Sequence, residues 1–158
     1  CGCDWLPVVT EGIVEEEVND LKSALSNLQI DGIVSGALRS DYQKTRLERI
    51  CEDLGIKSFT PLWHQSSRLH MENLVANGFK VMITGVSSDG LGKEWLGCIL
   101  NHSSLERLTK LASKYRFHVD GEGGEYETLV VAGPHMKGDL SFDFDIEWDG
   151  VRGHLNFL

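Results

Sequence analysis

The chain has 158 residues, a formal net charge of −9, 41% hydrophobic and 25% charged residues, enough for one domain with a real core and an ordinary soluble composition. The charge argues against a broad nucleic-acid footprint, which needs clustered Lys and Arg, but leaves room for a local polyanion site built from backbone donors. No apolar stretch reaches membrane-spanning length and CGCDWLPVVTEG lacks the pattern of a signal peptide, so a cytoplasmic location is expected.

In chain order, Glu15 to Leu28 carries Val18, Leu21, Leu25 and Leu28 at helical spacing. Ile33-Val34 then forms a short strand ending at Ser35-Gly36. A second helix is expected from Ser40-Asp41 to Leu54, with Leu47, Ile50, Cys51 and Leu54 inward and Gly55 as its stop. Ile56 to Leu62 reads as a strand closed by Pro61, and Ser66 to Ala76 as a helix ended by Asn77-Gly78. Phe79 to Val86 is the clearest buried strand. The loop SSDGLGKEWLG follows, then a short helix near Trp95 to Leu100 and another over Leu105 to Tyr115, capped by Ser103-Ser104.

Strands that are apolar runs without two-fold alternation, separated by helices, predict an α/β fold: a doubly wound, mostly parallel sheet. The ending differs. Leu140, Phe142, Phe144, Ile146 and Trp148 alternate with polar residues, and Asp149-Gly150 supplies a turn before Val151 to Phe157. This predicts an antiparallel hairpin at or near a sheet edge. The chain is expected to divide into 1–115, an α/β region, and 116–158, the segment holding the glycine-rich block and the hairpin, within one compact unit.

Few motifs carry chemistry. Cys1, Cys3, Cys51 and Cys98 give no second close pair to complete a zinc site, so reduced thiols and no protein-held metal are expected. The histidines show no H-x-x-x-H or H-E-x-x-H spacing. Gly90-Leu91-Gly92-Lys93 does not match the phosphate-loop pattern. In GALRSDYQKTRLERIC, Ser35-Gly36-Ala37 lies at the carboxyl end of a strand and a helix opens near Ser40. That is where open parallel sheets bind ligands. On residue chemistry alone, a capped helix with a solvated face is the favoured reading.

DGEGGEYETLVVAGP is harder to explain as a plain turn. Gly121 to Glu127 packs three glycines and three glutamates against an apolar run, and glutamate is not a favoured turn residue. In extended chain, Glu125 and Glu127 share one face. Carboxylates held there can coordinate Mg²⁺, orient an amine or move a proton. Residue chemistry alone leaves turn and site in balance.

GEGGEYETLV, together with SGALRSDYQKTRLERICEDLGIKSFTPLW and GFKVMITGVSSDGLGKEWLG, closely resembles the diphthine–ammonia ligases of the PP-loop, adenine-nucleotide α-hydrolase-like superfamily. The terminal WDGVRGHLNFL is similar to the ending of archaeal members. The resemblance implies an ATP-dependent ligase, with ATP and its Mg²⁺ as cofactors. The carboxylate of diphthine, on translation elongation factor 2, would be adenylated and then amidated by ammonia. It implies catalytic roles for Glu122, Glu125 and Glu127, and acceptor contacts at Gly121, Gly123, Gly124, Tyr126 and Thr128. It places Ser35, Gly36, Ala37, Ser40, Asp41, Tyr42 and Arg46 toward the nucleotide. A homodimer is one assembly it allows.

One family element does not occur. The Ser-Gly-Gly-Lys-Asp-Ser phosphate loop has no counterpart in the sequence, and the chain starts inside the family pattern. The expectation is therefore a part of a longer protein. A related amide ligase acting on a small acceptor, of cobalamin-salvage type, and a truncated non-catalytic binding paralogue are the competing readings.

Overall fold

The structure, a computed structural model, describes residues 1–13 and 16–158. It separates into two compact units, Cys3–Gln65 and Ser66–Leu158, with Cys1–Gly2 counted with the latter. The expected division at 115/116 falls inside the second unit, between a helix and a strand.

In the first unit, α1 (Glu16–Ser26) is followed by β1 (Gly32–Val34), α2 (Asp41–Leu54) and β2 (Lys57–Phe59). The expected first residue of α1, Glu15, lies outside the described residues. α2 begins where the Ser40 hydroxyl accepts the Gln43 N–H, and ends at Gly55, whose left-handed φ of 67° lets its N–H reach the Cys51 and Glu52 carbonyls. Ile50 and Cys51 form the buried stripe of α2. α2 is the crossover that makes β1 and β2 parallel, in register Gly32 with Lys57 and Val34 with Phe59. The strands approach so closely that a Cβ at Gly32 would meet the Lys57 carbonyl oxygen at 2.6 Å. Parallel pairing thus exists as expected, but among the described residues it is limited to this pair.

The second unit contains α3 (Ser67–Ala76), β3 (Lys80–Val86), a 3₁₀ turn (Lys93–Trp95), α4 (His102–Tyr115), β4 (Tyr126–Ala132), β5 (Phe144–Trp148) and β6 (Gly153–Phe157). Its strands form an antiparallel sheet in the order β4-β3-β6-β5. This corrects the expectation of a mostly parallel sheet running through Phe79–Val86. β3 lacks two-fold alternation because Val81, Met82, Ile83 and Val86 are all buried, and an inner antiparallel strand covered on both faces produces the same apolar run as a parallel one.

The expected helix over Trp95–Leu100 is also corrected. Gly97, at φ 80°, turns the chain into an extended segment along β3. There Gly97 N–H donates to the Ile83 carbonyl, Ile83 N–H to Cys98 and Leu100 N–H to Val81. α4 starts earlier than expected, with Asn101 as its cap in a reciprocal capping box with Ser104. The C-terminal hairpin forms at the sheet edge, but β5 begins at Phe144, so Leu140 and Phe142 precede the strand.

The core of this unit gathers Val81, Ile83, Trp95, Leu105, Leu108 and Tyr126. Among the described residues, no helix is long and apolar enough to cross a membrane. Leu108 is fully buried, so Leu108→Ala should destabilise the protein by about 3 kcal/mol, the mid-range for a buried leucine truncation. Urea denaturation checks this, and a loss below about 1 kcal/mol would contradict the packing.

Candidate functional site

The glycine-glutamate block lies between α4 and β4, strapped to the end of β3. Gly121 and Gly124 take left-handed φ values of 73° and 79°, and Gly124 N–H closes a turn on the Gly121 carbonyl at 2.9 Å. Ser87, just past β3, donates its hydroxyl to the Gly124 carbonyl and its N–H to that of Glu125. Tyr126 begins β4 buried in the core and donates its hydroxyl to the Val119 carbonyl. Burial pushes its phenol pKa up, and the Asp120 and Glu125 charges add to the effect.

The three glutamates have different surroundings. The Glu125 carboxylate folds back over its own loop, Oε1 accepting the His118 N–H at 2.9 Å and Oε2 the Gly123 N–H at 2.8 Å. Gly123 makes room for this, since a Cβ there would meet Glu125 Oε1 at 2.6 Å. Glu122 is exposed on the turn. Glu127 alone of the three points into a cleft of about 380 Å³. The shared face expected of Glu125 and Glu127 does not arise, because β4 starts only at Tyr126.

The cleft contains Gly124, Tyr126 and Glu127 of the sequence-predicted set; Gly121, Glu122, Gly123, Glu125 and Thr128 do not line it. Gly85, Val86 and Ser87 from the end of β3 form another part. The opposite wall is the hairpin, through Glu147, Asp149, Arg152, Gly153 and His154. Sequence reasoning missed these hairpin residues. The one available signal was their equal distance from a turn, but Asp149 sets a longer turn than Asp149-Gly150 suggests. Its Oδ1 accepts the N–H groups of both Val151 and Arg152 at 2.8 and 2.7 Å. These bonds, Arg152's first, hold the Asp149 carboxyl below its ordinary pKa. The second strand therefore starts at Gly153 rather than Val151.

Strand register organises the cleft floor. Gly85 stands opposite Glu127 on β4 and opposite His154 on β6, and His154 stands opposite Glu147 on β5. Directly opposed residues share a face, so Glu127, Gly85, His154 and Glu147 make one row across the sheet. The adjacent row, Tyr126, Val86, Gly153 and Trp148, lies on the other face, where Tyr126 and Val86 are buried. His154 Nε2 is 3.6 Å from Glu147 Oε2, which also accepts from Asn156 Nδ2 at 3.2 Å.

In the first unit, Ser35 follows β1 and its hydroxyl accepts the Ala37 N–H at 3.2 Å. The Arg46 guanidinium lies 3.1 Å from the centre of the Tyr42 ring. Ser35, Tyr42 and Arg46 line a groove of about 390 Å³ with Val18, Leu21 and Ile50. Gly36, Ala37, Ser40 and Asp41 do not line it; Ser40 is occupied as the cap of α2. This mainly apolar groove could take a flat ring. Among the described residues, no group of three His, Cys, Asp or Glu side chains is placed to hold a metal ion. Cys51 is buried, Cys98 half-buried and Cys1 and Cys3 exposed, all as free thiols.

Glu125→Ala should therefore loosen the loop, costing about 1–2 kcal/mol for two charge-assisted bonds. Amide exchange at His118 and Gly123 should rise. Glu127→Ala should stay within about 0.5 kcal/mol of the parent. Thermal melts and hydrogen exchange read both, and equal losses would contradict the division of labour.

Comparison with known proteins follows the same two-part division. Residues 1–58 match the family model described as diphthamide synthase N-terminal domain, and residues 66–157 the diphthamide synthase C-terminal domain. Diphthine–ammonia ligase of Schizosaccharomyces pombe is 35% identical over 128 residues, covering 78% of this chain and 21% of the relative. That of Danio rerio is 32% identical over 131 residues, covering 82% and 51%. The Homo sapiens ligase is 33% identical over 133 residues, covering 81% and 49%. The chain thus spans about half the length of the vertebrate relatives and about a fifth of the yeast one. With both domain models matched in order along it, the chain belongs to the diphthamide synthase family.

Proposed function

We propose that this chain is the acceptor- and ammonia-handling part of an ATP-dependent diphthine–ammonia ligase. The supporting observation is family membership, with the matched relatives named above all being diphthine–ammonia ligases. In this reading the diphthine carboxylate of elongation factor 2 is activated by transfer of AMP from ATP, with release of pyrophosphate. Ammonia then displaces AMP and leaves the amide. The reaction belongs to the cytoplasm, where elongation factor 2 works.

The chain's residues divide accordingly. The cleft carrying Glu127 receives the acceptor side chain, with the glycine backbone at Gly124 allowing close approach. Glu125 keeps that loop in shape through the His118 and Gly123 N–H groups. Ser35, Tyr42 and Arg46 contact the nucleotide's base or ribose. We read β1, α2 and β2 as a piece of an adenine-nucleotide α-hydrolase-like sheet, supported by their parallel pairing and by the position of Ser35 at the carboxyl end of β1. Mg²⁺ would come to the site with the triphosphate, whose oxygens and bound waters supply most of its ligands.

The test uses protein expressed from its complete gene, diphthine-bearing elongation factor 2, ATP and ammonium. Diphthamide, AMP and pyrophosphate should form in equal amounts, read by mass spectrometry of the modified peptide and by nucleotide analysis. Amidation of a small corrinoid acid with diphthine left untouched would overturn the acceptor assignment. Binding of the elongation factor without AMP release would overturn catalysis.

A further inference from the structure

Ammonium is the form in which ammonia reaches an enzyme near neutral pH, and it has no lone pair with which to attack an acyl carbon. A ligase using it needs a cation seat and a base in one place. The row Glu127, Gly85, His154, Glu147 has that composition. Gly85 carries no side chain, so a gap opens between Glu127 and His154, whose strands lie about 10 Å apart across the intervening one. A Cβ at Gly85 would already meet Glu127 Cβ at 3.3 Å. The gap therefore depends on glycine.

We infer that His154, oriented by Glu147, is the base that takes a proton from ammonium in this cleft, with Glu127 holding the cation opposite. The inference rests on the ligase reading above and adds the hairpin to its machinery. The other polar groups lining the cleft are committed or unsuited. The Asp149 carboxylate accepts two turn N–H groups, the Tyr126 hydroxyl is bound to the Val119 carbonyl and the Ser87 hydroxyl to that of Gly124. Arg152 cannot accept a proton. Glu127 and Glu147 are carboxylates, weaker bases than imidazole, and suit the roles of counter-charge and orienting partner. The charges facing His154 are Glu147 on β5, Glu127 on β4, and Asp149 and Arg152 at the hairpin turn.

One N–H bond of ammonium breaks, its electron pair stays on nitrogen, and the proton bonds to the neutral imidazole. The Glu147 carboxylate stands 3.6 Å from His154 Nε2 on the neighbouring strand. Ammonia attacks the acyl carbon of the adenylate and the carbon–oxygen bond to AMP breaks. His154 passes its first proton to solvent through the exposed side of the cleft and takes the second from the adduct nitrogen.

Hydroxylamine is largely neutral at pH 7 and needs no proton removed before it attacks, only the one its adduct loses, so the ratio of the two nucleophiles separates the first proton transfer from folding and acceptor binding. Protein from the complete gene would be given diphthine-bearing elongation factor 2 and ATP, with ammonium or hydroxylamine as the nucleophile. Amide and hydroxamate are then quantified by mass spectrometry. His154→Gln should lower the ammonium rate relative to the hydroxylamine rate about 10²-fold, the usual worth of a general base. Glu147→Gln should lower the same ratio about 10-fold, since it acts through His154. A parent-like ratio in both variants overturns the assignment, even where both rates fall together. If the parent protein forms neither product, the ligase reading itself fails and this inference with it.

Discussion

β3 is hydrogen-bonded along both edges, and its last two residues determine what the neighbouring strands can present. Val86 sends its side chain into the core beside Tyr126, which fixes the phase of β4 and β6 around it. Gly85 then necessarily belongs to the opposite face, as do its partners Glu127 and His154. A one-residue slip in either pairing would carry a charged side chain into the core and a buried one into water. The hydrophobic demand of Val86 and Tyr126 thereby positions polar groups on the opposite face of the sheet.

The same constraint separates glutamates that look equivalent in the chain. Tyr126 enters the core as the first residue of β4, so Glu127 follows the strand's alternation and emerges on the open face. Glu125 precedes the strand and is governed by the loop, where two backbone N–H groups claim both its oxygens. One carboxylate is a structural acceptor and its neighbour two residues on is available to a ligand. Their difference comes from where the strand begins.

Much of this was legible in the sequence, for identifiable reasons. The α2 stripe of Ile50 and Cys51, the Ser40 and Gly55 caps and the short β1 all follow local rules that need no knowledge of the rest of the chain. The direction of β3's partners was not legible, because burial on both faces erases the alternation that would have signalled an antiparallel neighbour. The glycine-glutamate block could be singled out as a candidate site, but the hairpin wall could not. A two-residue turn at Asp149-Gly150 would place Glu147 opposite Arg152; the turn closed by Asp149 Oδ1 places it opposite His154. That choice depends on a side chain bonding to backbone two and three residues ahead.

Glu125 binds backbone rather than side chains, and this has a bearing on how the loop can change over evolutionary time. An N–H is supplied by every residue but proline, so the identity at position 118 is nearly free as far as the latch is concerned. Position 123 is different, because any side chain there would collide with the carboxylate it is meant to serve. Drift in this loop is thus channelled: it can alter the surface around His118 freely, while a side chain at position 123 would push the Glu125 carboxylate off its two N–H partners.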